Sequence, residues 1–545
     1  MPTVIINGRS VEVPAGTNVI EAAKKVGVQI PHYCYHPRLS VVGQCRMCLV
    51  QVDGQPKLQA GCSMTVQKDG MEIRTDVPEV EEGQRAMMEF LLINHPLDCS
   101  ICDQAGECGL QDYAFKHGQA FSRFRYEEKR TYPGRERIPL GPSVLLNMNR
   151  CIQCTRCVRF TREVSKTGSL GFFNRGARTE IGTFPGQELD DPLAGNVVDV
   201  CPVGALTSTR FRFAERVWYL DKKPSICTGC DVGCNVTLEH RRGAIRRYKP
   251  RANPEVNDYW MCDYGRGSFE KYAQVPRLEA PRVRRQGGGA EPTTWSAALD
   301  AVHSALTSRS TAGAVSFLGA AELTTEEAFL LAKVADHVGS PHRSVWVDAG
   351  PERTIPRPQG SVTGSEAGPN RRGAEMAGLA TPEGGITARE LVEGDGAERC
   401  AVLVVAGSDF GAGAYDPGTV ALLRKARFLV VLGWADSPLA RAADVALPIA
   451  THAETGGTFV NVEHRLQRFE RAFPGPGQVL PGVEALGELL ARFDQGWKGP
   501  VTPAQAFARL ASEVDAFSGL AFEHLPATGT PLEAPSETKE PALAG

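Results

Sequence analysis

Residues 94–113 read NHPLDCSICDQAGECGLQDY. Cys99, Cys102 and Cys108 form a C-x2-C-x5-C run, one ligand short of the four that hold an iron–sulfur cluster. His95 stands just ahead of them. It is either the fourth ligand or a histidine that ends a helix beside a zinc knuckle or a few core cysteines. The remaining cysteines decide between these.

The chain has 545 residues and 16 cysteines. Fifteen cysteines fall into four groups before residue 263, and only Cys400 lies outside. Group one is Cys34, Cys45, Cys48 and Cys62: a long loop, a C-x2-C pair and a distal cysteine. That layout suits a [2Fe–2S] centre of ferredoxin type, whereas structural zinc prefers two close pairs. His32 and His36 flank Cys34 and are expected to pack or to act indirectly, because four thiolates already complete the set. Group two is His95, Cys99, Cys102 and Cys108. Group three is Cys151, Cys154 and Cys157 in NRCIQCTRCVRF, closed by Cys201 in DVCPVGAL. A cysteine before proline can serve the other cluster of a two-cluster ferredoxin, but every other group here already has four ligands. Group four is Cys227, Cys230, Cys234 and Cys262. Cys400 sits on the apolar stretch CAVLVVAG, where a buried free thiol is the ordinary expectation. His95, local and suitably spaced, is therefore the economical fourth ligand of group two.

Composition narrows the class. Hydrophobic residues make up 42% and charged residues 23%, with a formal net charge of -3. That balance suits a globular chain of several domains and makes no electrostatic case for nucleic acid or an anionic membrane. No apolar run approaches the ~18 residues of a membrane span. The first residues lack a basic region followed by an apolar core, so no secretory signal is expected and the expected compartment is cytoplasmic. Paired C-x2-C spacings in a reducing compartment favour iron–sulfur or metal ligation over disulfides.

Local signals sketch the elements. Asn7-Gly8 between VIIN and SVEV predicts a hairpin, and Asn18 with Glu21 predicts a helix start closed by Gly27. LVQV should return as a strand, and residues 80–95 should be helical. Residues 122–141 read as an extended connection. Past residue 278, residues 285–292 read as a Gly-rich linker. AVSFLG, CAVLVVAG and RFLVVLG then alternate with helical patterns such as the one begun by Thr324 and Glu327. That alternation predicts an α/β domain with a parallel sheet. Residues 350–392 read as a long surface excursion and residues 526–545 as a disordered tail.

GQCRMCLVQV, HPLDCSICDQAGECGLQD, CIQCTRCVRF, EIGTF, GNVVDVCPVGALTS and the group-four box, in this order, resemble the G-type iron–sulfur subunit of bacterial NADH:quinone oxidoreductase, respiratory complex I. ARAADVALPIATHAETGGTFVNVEHRLQRF, with Asp444, Pro448, Glu454, Gly456 and Asn461, is similar to the closing motif of molybdopterin oxidoreductases. The resemblance implies a multidomain α+β and α/β chain. It begins with a ferredoxin-like [2Fe–2S] domain (1–78) and a [4Fe–4S] domain with one histidine and three cysteine ligands (79–120). A ferredoxin-type [4Fe–4S] domain (121–220) and a molybdopterin-type [4Fe–4S] domain (221–277) come next. A truncated, degenerate molybdopterin-oxidoreductase-like α/β domain (278–485) and a C-terminal extension (486–545) follow. The cofactors implied are one [2Fe–2S] cluster on group one and three [4Fe–4S] clusters on groups two, three and four. No molybdenum or pterin is expected, although a serine metal ligand stays open.

The function implied is electron relay, from a partner that carries NADH and FMN toward a downstream iron–sulfur subunit and quinone. The chain would lie on the cytoplasmic face of the inner membrane, attached only through other peripheral-arm subunits. GAGAYD at Gly411 is no dinucleotide-binding loop, so NADH oxidation falls to a partner. The alternative is a subunit of an NAD-linked formate dehydrogenase, which calls for a larger pterin domain and a Cys or Sec metal ligand. An iron-only hydrogenase would need further cysteines. Arg46, Arg156 and Arg159 stay open between tuning the clusters and lying on solvated surface.

Overall fold

The computed structural model describes residues 1–285, 288–308, 313–407, 416–497 and 501–534. The chain divides into two compact units, Met1–Leu220 and Asp221–Gly545.

The first unit opens on the hairpin expected at Asn7-Gly8. Thr3–Ile6 and Arg9–Glu12 pair antiparallel, and both turn residues take the left-handed conformation that such a two-residue turn requires. Thr3–Ile6 also pairs parallel with Met71–Arg74, which joins Leu49–Val52 and Gln59–Ala60 in one sheet. Helix Val19–Lys25 packs on the same core. Asn18 accepts a hydrogen bond from the Ile20 N–H, and Gly27, with φ of 75°, lets the chain leave the helix. Val4, Ile6, Ile20, Val50 and Ile73 form that core, together with Cys48 and Cys62. Helix Pro78–Leu92 then leads to the His95 loop, and helix Gly109–His117 leaves it. The 122–141 connection holds a single turn at Tyr126–Glu128 and a short strand at Ile138–Pro139. Strands Val144–Leu146 and Leu206–Ser208 and helices Arg156–Glu163 and Asn196–Val200 frame group three.

In the second unit, strands Asp221–Ile226, Asn235–Arg241 and Ala244–Pro250 form an antiparallel sheet whose first turn carries Cys227, Cys230 and Cys234. The described residues then build a seven-stranded sheet. Its parallel part runs Val445–Pro448, Leu429–Gly433, Cys400–Ala406, Ala314–Ala320, His342–Trp346. Alternate residues face opposite layers: Val402, Val404, Val430 and Leu432 pack with helices Trp295–Ser308, Thr325–His337 and Gly482–Leu490. Leu403, Val405, Leu429 and Val431 pack with helices Ala388–Glu393, Pro417–Leu423 and Pro438–Ala442. Both faces being covered explains why these strands are continuously apolar. Thr324 and Glu327 cap their helix reciprocally, as the sequence predicts.

Three sequence expectations are corrected. The expected linker at 285–292 ends in a strand: Ala290–Pro292 pairs with Arg282–Arg284 as a hairpin that extends the sheet antiparallel, and residues 286–287 lie outside the described residues. Residues 350–392 are no loose excursion. Ala349–Arg357 and Gly360–Glu366 pair, and Ile355, Val362, Ala374, Leu379 and Leu391 are buried. Within the expected tail, Thr530–Pro531 pairs with Arg465–Phe469. The rest of the tail (535–545) and most of the GAGAYD stretch lie outside the described residues.

Arg277 clamps Glu454 with two bonds of 2.6 and 2.7 Å, and Glu454 is 2% exposed. Glu454→Ala would strand the guanidinium. The expected loss is about 3–5 kcal/mol, read as a lowered thermal midpoint and partly restored by adding Arg277→Ala.

Candidate metal centres

Group one closes beside the core of the first domain. Cys34, Cys48 and Cys62 are buried. The Cys34 N–H donates to the Cys45 Sγ at 3.5 Å, and the Cys62 N–H donates to the Cys48 Sγ at 3.4 Å. Hydrogen bonds from Cys45 and Cys62 hold Cys34 below the ordinary thiol range, and the bond from Cys62 does the same for Cys48. The four sulfurs thus stand within reach of one another. Asn18 donates to the Cys62 carbonyl at 2.7 Å, so the residue that caps the first helix also pins the distal cysteine. His32 Nδ1 is bonded to the Ile30 carbonyl, and His36 Nδ1 accepts from the Arg38 N–H. Both rings are engaged with local backbone.

In group two, His95, Cys99, Cys102 and Cys108 line one cavity of about 370 Å³, together with Arg150 and Gly204. Burial, helped by the nearby Lys129 and Arg150 charges, lowers the His95 pKa to about 4. The ring is therefore neutral near pH 7, the form that ligates metal. Arg150, itself buried, is held by Asp98 at 2.9 Å.

In group three, Cys151, Cys154, Cys157 and Cys201 line one small cavity with Ile181, Val203 and Leu206. Burial pushes all four thiols upward, so loading metal there must release protons. Gln153 and Thr155 take left-handed backbone, with φ of 55° and 69°, a conformation that costs about 1–2 kcal/mol per non-glycine residue. The loop that results turns the Gln153 N–H toward the Cys151 Sγ at 3.3 Å. Hydrogen bonds to cluster sulfurs are a means of setting potential.

Group three touches both neighbours. Arg159 donates to the carbonyls of Cys34 and Ser40, and Arg156 to those of Tyr35 and Val200. Gln44 reaches the Gln153 carbonyl at 2.9 Å. On the other side the Gly109 N–H and the Cys108 Sγ both donate to the Pro202 carbonyl. A Cβ on Gly204 would lie 2.2 Å from the Cys102 Sγ, so only glycine lets that cysteine reach the cavity. Tyr33 gives a further link, donating to the Gly109 carbonyl at 3.3 Å. Arg159, buried, and Arg156, half-buried, thus brace the cysteine loops, while Arg46 is exposed.

Group four lies in the second unit, and all four cysteines are buried. The Gly229 N–H donates to the Cys227 Sγ and the Gly265 N–H to the Cys262 Sγ, each at 3.4 Å. Three residues near the end of the α/β domain hold the cysteine turn. Asn461 donates to the Val232 carbonyl, Gln467 donates to the Gly233 carbonyl, and the Val462 N–H donates to the Asp231 carbonyl. Asp444 is occupied by Arg424 and the Leu429 N–H, and Glu454 by Arg277. Cys400 is fully buried, with its Sγ within hydrogen-bond reach of the Ser316 hydroxyl and the Gly396 carbonyl. Among the described residues no three His, Cys, Asp or Glu side chains close on a single-ion position. The donor sets, thiol-rich and fringed with N–H groups, suit polynuclear clusters.

Family profiles match along the chain. A 2Fe-2S iron-sulfur cluster binding domain covers residues 2–78, and an NADH-ubiquinone oxidoreductase-G iron-sulfur binding region covers 84–123. The ferredoxin-like domain of NADH-quinone oxidoreductase subunit 3 matches 141–207. A molybdopterin oxidoreductase Fe4S4 domain matches 220–273, and a molybdopterin oxidoreductase profile matches 372–492. The NADH-quinone oxidoreductase G subunit of Streptomyces coelicolor is 43% identical over 336 residues, which are 61% of this chain and 39% of that protein. The corresponding protein of Rickettsia conorii is 40% identical over 62% of this chain and 50% of its own. The chain is related to the G subunit of NADH-quinone oxidoreductase. The mitochondrial NADH-ubiquinone oxidoreductase 78 kDa subunit of Neurospora crassa is also similar, at 41% identity over 63% of this chain and 46% of its own. The matched region spans half or less of the length of these relatives. A chain of an NAD+-reducing [NiFe]-hydrogenase in the H2-reduced state aligns at 30% identity and a TM-score of 0.35, over 40% of this chain and 91% of its own. That superposition is too loose to carry an argument.

Gly204 is the site residue that sequence reasoning missed, and Arg156 and Arg159 are those whose role it left open, since no spacing marks a contact between distant loops. Gly204→Ala is expected to remove the group-two centre, a loss of about four irons per chain, and His95→Ala to abolish or alter the same EPR signal. Iron analysis and EPR of the reconstituted chain check both, with the other signals unchanged.

Proposed function

We propose that the chain is an electron-transfer iron–sulfur subunit of an NADH:quinone oxidoreductase. Cys34, Cys45, Cys48 and Cys62 would hold a [2Fe–2S] cluster. His95, Cys99, Cys102 and Cys108, then Cys151, Cys154, Cys157 and Cys201, then Cys227, Cys230, Cys234 and Cys262 would each hold a [4Fe–4S] cluster. When bound, these groups supply one-electron carriers. The protein's part is to hold them close, to keep water from them and to set the charge around them.

The observation that carries the reading is the position of group three. Its loops touch those of group one through Arg156, Arg159 and Gln44, and those of group two through Pro202 and Gly204. Electron transfer falls steeply with distance, so a centre in contact with both neighbours is the natural middle step. The order is then group one, group three, group two. The donor would be a partner that carries NADH and FMN, and the acceptor a downstream iron–sulfur subunit that leads toward quinone. Among the described residues no helix is long and apolar enough to cross a membrane. Attachment to the cytoplasmic face of the inner membrane would run through partner subunits.

The α/β domain reads as a noncatalytic scaffold. The gap lined by Thr228, Tyr272, Trp434 and His452 is about 20 Å³, room for a water or two, where ligand pockets run to about 300–1,000 Å³. His452 is fixed at its wall, bonded by Tyr248 and Tyr272 at 2.9 and 3.1 Å. The division into smaller domains at residues 78, 120, 277 and 485 belongs to this proposal.

In the assembled enzyme, Cys154→Ala is expected to abolish NADH-to-quinone turnover per assembled complex. Cys230→Ala is expected to lower assembly and thermal stability more than turnover, because group four has no substrate site of its own to drain. Turnover normalised to assembled complex, measured for both variants side by side, separates relay from scaffold. A Cys230 variant that assembles fully yet turns over as poorly as the Cys154 variant contradicts this order.

A further inference from the structure

Arg353 sits on the Ala349–Arg357 strand and is 5% exposed. Neither terminal nitrogen of its guanidinium has a hydrogen-bond partner. The guanidinium carbon lies 3.7 Å from the centroid of the Tyr264 ring. A cation–π contact of this kind offsets part of the desolvation of a buried cation but leaves its N–H donors unanswered. A buried cation needs an anion, and among the described residues no carboxylate bonds Arg353: Glu366 turns Oε1 to Arg371 and leaves Oε2 without a hydrogen bond. Glu366 binds Arg371 at 2.7 Å, and Asp231 lies 3.7 Å from Arg372 and accepts from the Glu366 N–H.

Through Tyr264, Arg353 lies beside group four. Tyr264 follows Cys262 by two residues, and a Cβ on Gly229, between Cys227 and Cys230, would lie 3.3 Å from its ring. The same hairpin presses on the cysteine turn from its second strand: a Cβ on Gly364 would lie 2.8 Å from Val232 Cγ2. The terminal nitrogens of Arg156 and Arg159, near groups one and three, donate to backbone carbonyls. The terminal donors of Arg353 remain available.

We propose that Arg353 is a positioning residue that serves as the fixed counter-cation of the group-four cluster. The inference rests on Cys227, Cys230, Cys234 and Cys262 as ligands. A [4Fe–4S] cluster on four thiolates is anionic in both common states and gains one more negative charge when it takes an electron. A cation fixed nearby in a weakly screened interior favours the reduced state and raises the midpoint potential. The hairpin that the sequence presents as an Arg- and Pro-rich excursion therefore brings charge to the cluster.

The test is an EPR-monitored redox titration of the full chain, reconstituted anaerobically with iron and sulfide, beside Arg353→Gln and Arg353→Lys. Arg353→Gln should shift the group-four equilibrium toward oxidised by at least about tenfold, ~59 mV lower for one electron. Arg353→Lys should recover most of that shift, and the other three centres should not move. Assembly of the cluster with Lys but not with Gln would also support the charge role. An unchanged midpoint in Arg353→Gln, a shift that Lys does not recover, or loss of the cluster in both variants overturns it. A wild-type chain with no group-four signal means that the ligand assignment has failed, and the proposal fails with it.

Discussion

The buried guanidinium of Arg159 ties two cysteine loops into one body. It donates to the carbonyls of Cys34 and Ser40 on one side and to Cys154 and Thr155 on the other. These loops are more than a hundred residues apart in sequence. Each cysteine group asks the chain to give up regular backbone pairing around a small polar centre, which leaves carbonyls without helix or sheet partners. Buried carbonyls need donors, and a planar guanidinium supplies several from one side chain. Arg159 and Arg156 thereby satisfy the loops and fix the spacing between groups. Proximity of the centres follows from backbone satisfaction.

The second unit solves the same problem without that stitch. Its cysteine turn hangs between two antiparallel strands and is held by Asn461, Gln467 and the Val462 N–H. Asn461 belongs to the stretch that resembles the closing motif of molybdopterin oxidoreductases. In this chain its side-chain N–H holds the cysteine turn and its Oδ1 accepts from the Glu463 and Arg465 N–H groups. Glu454 of the same stretch anchors the entry segment through Arg277. A structural task of this kind accounts for these residues of the motif.

Features written in local chemistry were legible in the sequence. Asn7-Gly8, the Asn18 cap and the Thr324–Glu327 capping box act within a few residues, and apolar runs such as CAVLVVAG name a strand buried on both faces. The cysteine spacings are local too: His95, Cys99, Cys102 and Cys108 line one cavity and Cys151, Cys154, Cys157 and Cys201 another, and ligation by them is the proposal drawn from this. Features that depend on distant partners were not legible. Ala290–Pro292 reads as part of a linker because the sheet its hairpin joins, at Val445–Pro448, lies far along the chain. The Ala349–Arg357 hairpin is rich in Arg and Pro, and its buried apolar residues, Ile355 and Val362, are placed by contacts that composition cannot reveal. Thr530–Pro531 is a strand only because Arg465 and Leu466 lie beside it. Gly204 carries no turn signature; its need for a missing Cβ comes from Cys102.

The central claim is that four separate ligand sets, one of them completed by a histidine, each hold an iron–sulfur cluster in this one chain. Mössbauer spectroscopy of the full chain, reconstituted anaerobically with enriched iron and paired with elemental analysis, measures this most directly. The account predicts about 14 irons per chain, with about one-seventh of the signal from a two-iron centre and the rest from four-iron centres. Stoichiometric zinc, or iron near half that amount, would contradict it.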